Sequence, residues 1–358
     1  MNDRTALNLV KSYLEESVIP NAAAIDSDAD ALHAAISGLG KLGLLALRVS
    51  ICWGGWEVSE ETFQTFQELV ARSSGALAFL QTQHQSAAAM LDQSPNQLLK
   101  QKYLAQISKP ILLGVGFSHL RRGGEPLVKA VPVPGGYRLN GFVPWVTGFD
   151  FFQKFIVAAS LPDGQAVFGI VPFVETSSAA GAIKFSQPMQ LAAMTSTNTV
   201  TATLTNWFLS QECVVSVKPT GWIHNNDQKN VLNATGLVLG CAMAGLDIVQ
   251  AAYSSKQLSF IAEAFETLNQ ELSNCRTAIK LAQRDRHTSF DRRLQLRAEA
   301  IDLAMRCAHA AVTVSSGAAN SKNHAAQRVY REALVFTVSG QTTALMEATL
   351  ALLKMRSS

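Results

Sequence analysis

The chain has 358 residues, 48% of them apolar and 16% charged, with a formal net charge of +3. That length and apolar content predict two or three packed regions and a surface partly covered by another subunit. A balance so near neutral, with no Lys/Arg stripe interleaved with aromatics, excludes a nucleic-acid partner. At the amino terminus, Met1-Asn2-Asp3-Arg4 turns straight into an amphipathic pattern, unlike a signal peptide. Leu7, Val10, Leu14 and Val18 recur at helical spacing and predict a helix ended by Pro20. Further helices are predicted over residues 28–47 (stopped near Gly43), 62–71, 76–91 and 97–107, the last ahead of Pro110.

The texture changes near Ile111. From there to Trp222 the chain is a series of short β-rich runs between turns. Gly135-Gly136 precedes Tyr137-Arg138-Leu139 as hairpin punctuation. Runs 155–160 and 166–171 flank the turn Pro162-Asp163-Gly164, and 199–207 is rich in β-branched residues. No helical patterns alternate with these strands, which predicts a compact antiparallel region, closed or sandwiched.

Helical patterns return after Asp227. Segment 236–253 is the most apolar, and Asp247 inside it predicts a buried helix, not a membrane span. Ile261, Phe265, Leu268, Leu272, Cys275, Ile279 and Ala282 form the seam of a long helix in an antiparallel bundle. Ile301, Met305, Ala308 and Val312 continue the bundle, and Val338, Thr342, Leu345, Thr349 and Leu352 close it. The charged stretch 284–297 between these helices predicts a solvated turn. Five cysteines (Cys52, Cys213, Cys241, Cys275, Cys307) show no CxxC or Cys/His ligand spacing, predicting reduced, buried thiols in a cytoplasmic protein and no metal site. Gly38-Leu39-Gly40-Lys41-Leu42-Gly43 spells GxGxxG, but the residues before it are helical in pattern, so it does not read as a dinucleotide site. The absence of GxSxG removes a hydrolase reading.

Several segments carry a family resemblance, in order along nearly the whole chain. Gly43-Leu44-Leu45-Ala46-Leu47 followed by Trp53-Gly54-Gly55, then residues 66–80, then His84 with Gln101-Lys102-Tyr103-Leu104 and Ile107, are the first of them. Gly136-Tyr137-Arg138-Leu139-Asn140-Gly141 with Trp145-Val146-Thr147 is the most specific. Gln327-Arg328-Val329-Tyr330-Arg331-Glu332-Ala333, running on to Ser339-Gly340-Gln341-Thr342, completes the set. Together they resemble the acyl-CoA dehydrogenase superfamily, whose last helix carries a basic residue, Arg-Asp-Ala and then Tyr-Glu-Gly-Thr. The resemblance implies an α+β multidomain fold: an N-terminal helical domain (1–111), a middle antiparallel β-barrel or sandwich (112–224) and a C-terminal four-helix bundle (225–358). It implies a cytoplasmic homo-oligomer, a dimer or tetramer, that binds no nucleic acid and no membrane.

The same resemblance implies a flavoprotein with FAD between the β domain and the bundle, a neighbouring subunit's bundle completing the site. Trp145 and Thr147 would lie against the flavin ring, with Ser118, Gly317, Gln341 and Thr342 as further contacts. An isoalloxazine needs a flat apolar wall and a few donors at its polar edge, which Trp145 and Thr147 can supply. The departures are equally specific. The family's flavin-packing loop is replaced by Val115-Gly116-Phe117-Ser118-His119-Leu120-Arg121-Arg122. Gln257 and Ile261 stand where the family has a pyrophosphate-binding Arg and a Gly, and in Thr313-Val314-Ser315-Ser316-Gly317-Ala318 only Gly317 matches. Gly340 occupies the position of the catalytic glutamate, so the base for α-proton removal is absent there. Relatives that carry the glutamate on a neighbouring helix would point to Glu263 or Glu266; His119 and Ser339 are the other catalytic candidates.

The reading is therefore an acyl-CoA dehydrogenase-like, flavin-dependent oxidoreductase acting on CH-CH groups of an acyl thioester or similar small substrate. A flavin-dependent monooxygenase fed by a flavin reductase is one alternative, since that branch also lacks the glutamate and the loop. A cofactor-free binding or scaffold relative is another. Loss of the adenine-side contacts leaves FAD and FMN both open.

Overall fold

The computed structural model describes residues 3–105 and 111–355. Met1, Asn2, Ile107 and Pro110, on which parts of the sequence reading fall, lie outside the described residues.

Six helices come first: α1 (Asp3–Tyr13), α2 (Ala22–Ser27), α3 (Ala29–Lys41), α4 (Glu60–Ser73), α5 (Gly75–Asp92) and α6 (Gln97–Tyr103). The apolar stripe outlasts α1, because Leu14–Val18 continues as a π-helical turn that buries Leu14 and Val18. Pro20 does not stop the chain there; it sits at the start of a 3-10 turn, Ile19–Asn21, where its missing N–H costs nothing. The boundaries of α4 and α5 follow from capping. Ser59 accepts from the Thr62 N–H, and Ser74 accepts from the Leu77 N–H, each satisfying an orphan donor of the first turn.

The middle region forms one nine-stranded sheet: β1 (Leu113–Gly116), β2 (Val128–Val133), β3 (Gly136–Val146), β4 (Lys154–Ser160), β5 (Ala166–Pro172), β6 (Thr176–Ser178), β7 (Gly181–Phe185), β8 (Val200–Ser210) and β9 (Val214–Lys218). Its order is β6-β7-β8-β3-β2-β4-β5-β9, with β1 alongside β4. The expected antiparallel pattern holds except on β4, which runs parallel to β1 (Leu113 opposite Lys154) and touches β2 in parallel (Lys129 opposite Ser160). The turn at Pro162-Asp163-Gly164 joins β4 and β5 in register, Ser160 opposite Ala166.

Six more helices follow: α7 (Trp222–Lys229), α8 (Thr235–Lys256), α9 (Ser259–Arg284), α10 (Phe290–Ser315), α11 (Ala325–Val338) and α12 (Thr343–Met355). Helix α8 is the one helix among the described residues long and apolar enough to cross a membrane, yet 67% of its most apolar window is buried within the fold. Two glycines let neighbouring backbones touch it: a Cβ on Gly240 would stand 2.3 Å from the Glu68 carbonyl on α4, and one on Gly245 2.7 Å from Cys307 on α10. The seam read on α9 is real, with Ile261, Leu272, Cys275, Ile279 and Ala282 buried.

Three expectations need correction. The charged stretch 284–297 is mostly the first two turns of α10, because Ser289 caps that helix. Val338 and Thr342 do not share a helix: Gly340, at φ +63°, breaks the chain between α11 and α12. Of the cysteines, Cys52 is exposed and Cys213 half-buried, and only Cys241, Cys275 and Cys307 are buried. One continuous apolar core runs from Val10 and Leu39 through Val146 and Phe155 to Leu246 and Phe336, so the three regions pack as one body.

Candidate functional site

The clearest site feature begins as a defect in the sheet. Between Val143 and Val146, β3 advances three residues while β8 advances only from Ala202 to Val200. The extra residue makes a bulge at Pro144-Trp145, and Pro144 has no N–H to lose from the ladder. The bulge turns Trp145 out of the core: its indole is 46% exposed, while Val143, Val146 and Thr147 around it are buried. Thr147 bonds Thr199 hydroxyl to hydroxyl at 2.9 Å, which ties β3 to the start of β8. A flat aromatic face thus stands open beside a fixed hydroxyl, on a rigid strand.

The 3-10 turn Ser118–Arg121 packs beside β3. Ser118 is exposed. His119, a catalytic candidate by sequence, is 4% exposed. Its Nε2 lies 3.0 Å from the Ala158 carbonyl, which can only accept, so Nε2 carries the proton. Nδ1 is buried without a partner. Burial pushes its pKa down to about 4, so the ring is neutral and anchors the turn to β4.

Arg121 makes a two-pronged ion pair with Asp227 of α7, at 2.7 and 2.8 Å. Beside that pair lies Arg297 of α10, which the sequence reading had left in a solvated turn. It is 6% exposed. Its Nη1 donates to the Val231 carbonyl (3.1 Å), and its Nη2 to the carbonyls of Ser339 (2.8 Å) and Gly340 (3.2 Å). Its Nε has no partner, and no carboxylate among the described residues bonds it. Burial pulls its pKa down to about 10, Asp227 opposing and Arg121 reinforcing the fall. A Cβ on Gly340 would sit 3.2 Å from Nη2. Gly340 and the guanidinium of Arg297 thus lie against each other.

The other candidates fall in three places. Ser339 and Thr342 flank Gly340, but both hydroxyls have structural partners: Ser339 donates to the Val335 carbonyl, and Thr342 accepts from the Leu345 N–H to cap α12. Gln341 keeps its Oε1 buried and unpartnered. Glu263 and Glu266 are exposed on α9. Gly317 follows the far end of α10, about 27 Å along that helix from Arg297 at 1.5 Å per residue, so one chain does not bring it to Gly340. Gln257 caps α8 at φ +55° and folds back on the Ser254 carbonyl, pointing at no phosphate site. The signature Arg328…Arg331-Glu332 is structural. Arg328 pairs with the fully buried Glu332 at 2.7 Å, Glu332 also accepts from the Gly75 N–H, and Arg331 pairs with Asp26 at 2.8 Å.

A cavity of about 30 Å³ opens elsewhere, against His84, Tyr103 and Leu113. It has room for a water or two and none for an organic substrate.

Arg297 was legible in principle. Leu294, Arg297, Ala298 and Ile301 share one helical face and all are buried. An arginine on an apolar stripe is a better signal than an arginine in a charged run.

The order helical region, antiparallel-rich sheet and helical bundle is that of the acyl-CoA dehydrogenase fold. Residues 2–109 match the acyl-CoA dehydrogenase N-terminal domain. A 3-(aryl)acrylate reductase of Clostridium sporogenes is 22% identical over 96% of both chains. Among solved structures, glutaryl-CoA dehydrogenase from Mycobacterium smegmatis superimposes with a TM-score of 0.82 at 14% identity, covering 98% of this chain and 94% of that one; the same enzyme has been solved in complex with FADH2. Butyryl-CoA dehydrogenase from Megasphaera elsdenii gives 0.77 at 16% identity, covering 98% and 97%. The chain has the fold of the acyl-CoA dehydrogenases, and its residues 2–109 match that family's N-terminal domain.

Proposed function

We propose that this protein is a flavin-dependent oxidoreductase that reduces a carbon–carbon double bond conjugated to a carboxyl or thioester group. The observation that carries the reading is the exchange at the reacting end: Gly340 where the superfamily has its carboxylate, and the buried, carboxylate-free Arg297 against it. Oxidation of a saturated acyl chain needs a base for the α-proton. Reduction of the conjugated alkene would add hydride at the β-carbon and send the electron pair toward the carbonyl side, where a nearby cation is stabilising; with no carboxyl at Gly340, the α-carbon would take its proton from water. The kinship with an acrylate reductase supports that direction.

The residues present fit an isoalloxazine better than its adenine half. Trp145 offers the apolar wall, Thr147 and the unpartnered Gln341 Oε1 offer polar groups, and neither Gln257 nor any match beyond Gly317 recreates the family's phosphate contacts. FAD is the cofactor we favour, FMN the alternative. A bound flavin supplies two-electron transfer; the chain's own contribution is to wall the ring with Trp145, fix β3 through Thr147 and Thr199, and hold the positive end of Arg297 under the loop of Gly340.

A homo-oligomer completes the proposal. Tyr330, Leu334 and Val338 expose an apolar stripe on α11, and Met346, Leu350 and Leu353 another on α12. A neighbour's bundle covering these faces could also bring a second Gly317 to the site.

The deciding experiment is the visible spectrum of gently purified protein, with released cofactor identified by mass. A flavin spectrum whose reduced form is reoxidised anaerobically by a 2-enoate, and not bleached by saturated acyl-CoAs, supports the reading. A colourless protein that refuses added flavin, oxidised or reduced, would sink it.

A further inference from the structure

A recess far from Trp145 lies at the seam of α2 and α11, lined by Ala23, Asp26, Ser27, Lys322, Asn323, Arg328 and Arg331. Three of these side chains are cationic and one is anionic. The anion is already used: Asp26 Oδ1 accepts from the Met194 N–H (2.7 Å) and Oδ2 from Arg331 (2.8 Å). Arg331 is used too, its Nε on Gln327 and its Nη1 on the Ala192 carbonyl. Arg328 is different. It is 8% exposed and lines the recess, yet only its Nη1 is bonded, to Glu332; its Nε and Nη2 meet no acceptor among the described residues. Nor does Lys322 bond any carboxylate among the described residues. Helix α11 begins at Ala325 beside the recess, so its positive end adds to the field.

A guanidinium more than nine-tenths buried with free donors, an unpaired lysine and a helix start around one recess constitute a site built for an anion. The floor has room for one water-sized group, about 10 Å³, and opens outward. One oxygen of a tetrahedral oxyanion fits that shape, with the rest of the group outside against Lys322 and Asn323.

We propose that this recess binds a phosphate-type oxyanion, clamping α11 of the bundle to α2 of the N-terminal region through Arg328 and Lys322. The site is independent of flavin and of the proposed reaction.

Thermal unfolding of the full chain, with inorganic phosphate titrated against chloride at constant ionic strength, tests it. A saturable rise in Tm with phosphate is expected, and Lys322→Glu should weaken the apparent affinity at least tenfold. Lys322 is exposed, so this variant should fold where a change at Arg328 would not. A small phosphomonoester such as glycerol 3-phosphate distinguishes the source. Binding as tight as phosphate identifies a terminal phosphate of a larger molecule; binding only of inorganic phosphate identifies the free ion. A rise no greater than chloride gives, or one unchanged in Lys322→Glu, overturns the proposal.

Discussion

Arg297 carries a charge into a place where only main-chain carbonyls meet it. Three carbonyls hold the guanidinium, and Asp227 nearby is already paired with Arg121; a buried charge bonded to no carboxylate of its own is costly unless a ligand or reaction uses it. Replacing it with methionine should slow substrate reduction about 100-fold, the usual cost of a lost stabilising donor. Arg297→Lys, which keeps the charge but not the fork, should lose less; single-turnover kinetics would read both. Equal rates in wild type and Arg297→Met would remove the residue from the reaction. The two buried histidines make a pH prediction. Burial lowers His84 and His119 from 6.5 to about 4, so between those values the unfolded chain binds protons that the folded chain does not. Stability should therefore fall as pH drops from about 6.5 toward 4, by about 3 kcal/mol per histidine at the acid end. Denaturant midpoints at pH 7.5 and pH 5 check this, and His119→Gln should flatten the profile.

At the scale of the element, the bulge in β3 and the break between α11 and α12 place the site. Both were partly legible. Trp145 and Thr147 stood in a recognisable motif, but the exposure of Trp145 comes from the mismatch of β3 with β8, a long-range pairing that no local pattern encodes. Gly340 was noticed as a substituted position, whereas its left-handed backbone and the guanidinium beneath it required the packed structure. His119 was read as a catalytic candidate from the altered loop alone, and its burial against the Ala158 carbonyl is a long-range contact that no local pattern encodes. Helix α9 was legible because one-sided burial imposes the helical period directly, and β4–β5 because the Pro162-Asp163-Gly164 turn separates two continuously buried apolar runs. Trp145→Ala should weaken flavin binding about tenfold, roughly 1.4 kcal/mol, and leave stability within about 0.5 kcal/mol because the side chain is nearly half exposed. Gly340→Ala should destabilise by about 1–2 kcal/mol, since a Cβ is disfavoured at φ +63° and would crowd Arg297. Chemical denaturation of both variants separates the binding wall from the structural break.

The whole molecule is joined by buried polar contacts as well as by its core. Glu332, fully buried on α11, meets Arg328 and the Gly75 N–H, and Arg331 reaches Asp26 on α2, so the last region is locked to the first. What that lock leaves outside is the outer face of α11 and α12. Tyr330, Leu334 and Val338 lie four residues apart in α11, and Met346, Leu350 and Leu353 follow in α12, all at least 38% exposed. Scattered apolar residues on a surface mean little, but two aligned stripes on helices that are consecutive in the chain form an area a monomer gains nothing by exposing. The low charge content of the chain, 16%, points the same way. A second copy of the chain is the proposed cover, because a neighbouring bundle would bury the stripes and place a Gly317 loop where one chain cannot. The expected result is a dimer or tetramer by light scattering, converted to a smaller species by Leu334→Glu combined with Leu350→Glu. Because Leu334 and Leu350 are already 47% and 53% exposed in one chain, the dissociated form should keep its helical circular dichroism while losing flavin. A monomeric wild type, or a variant that dissociates yet holds flavin as tightly as before, would show that the site is complete within one chain.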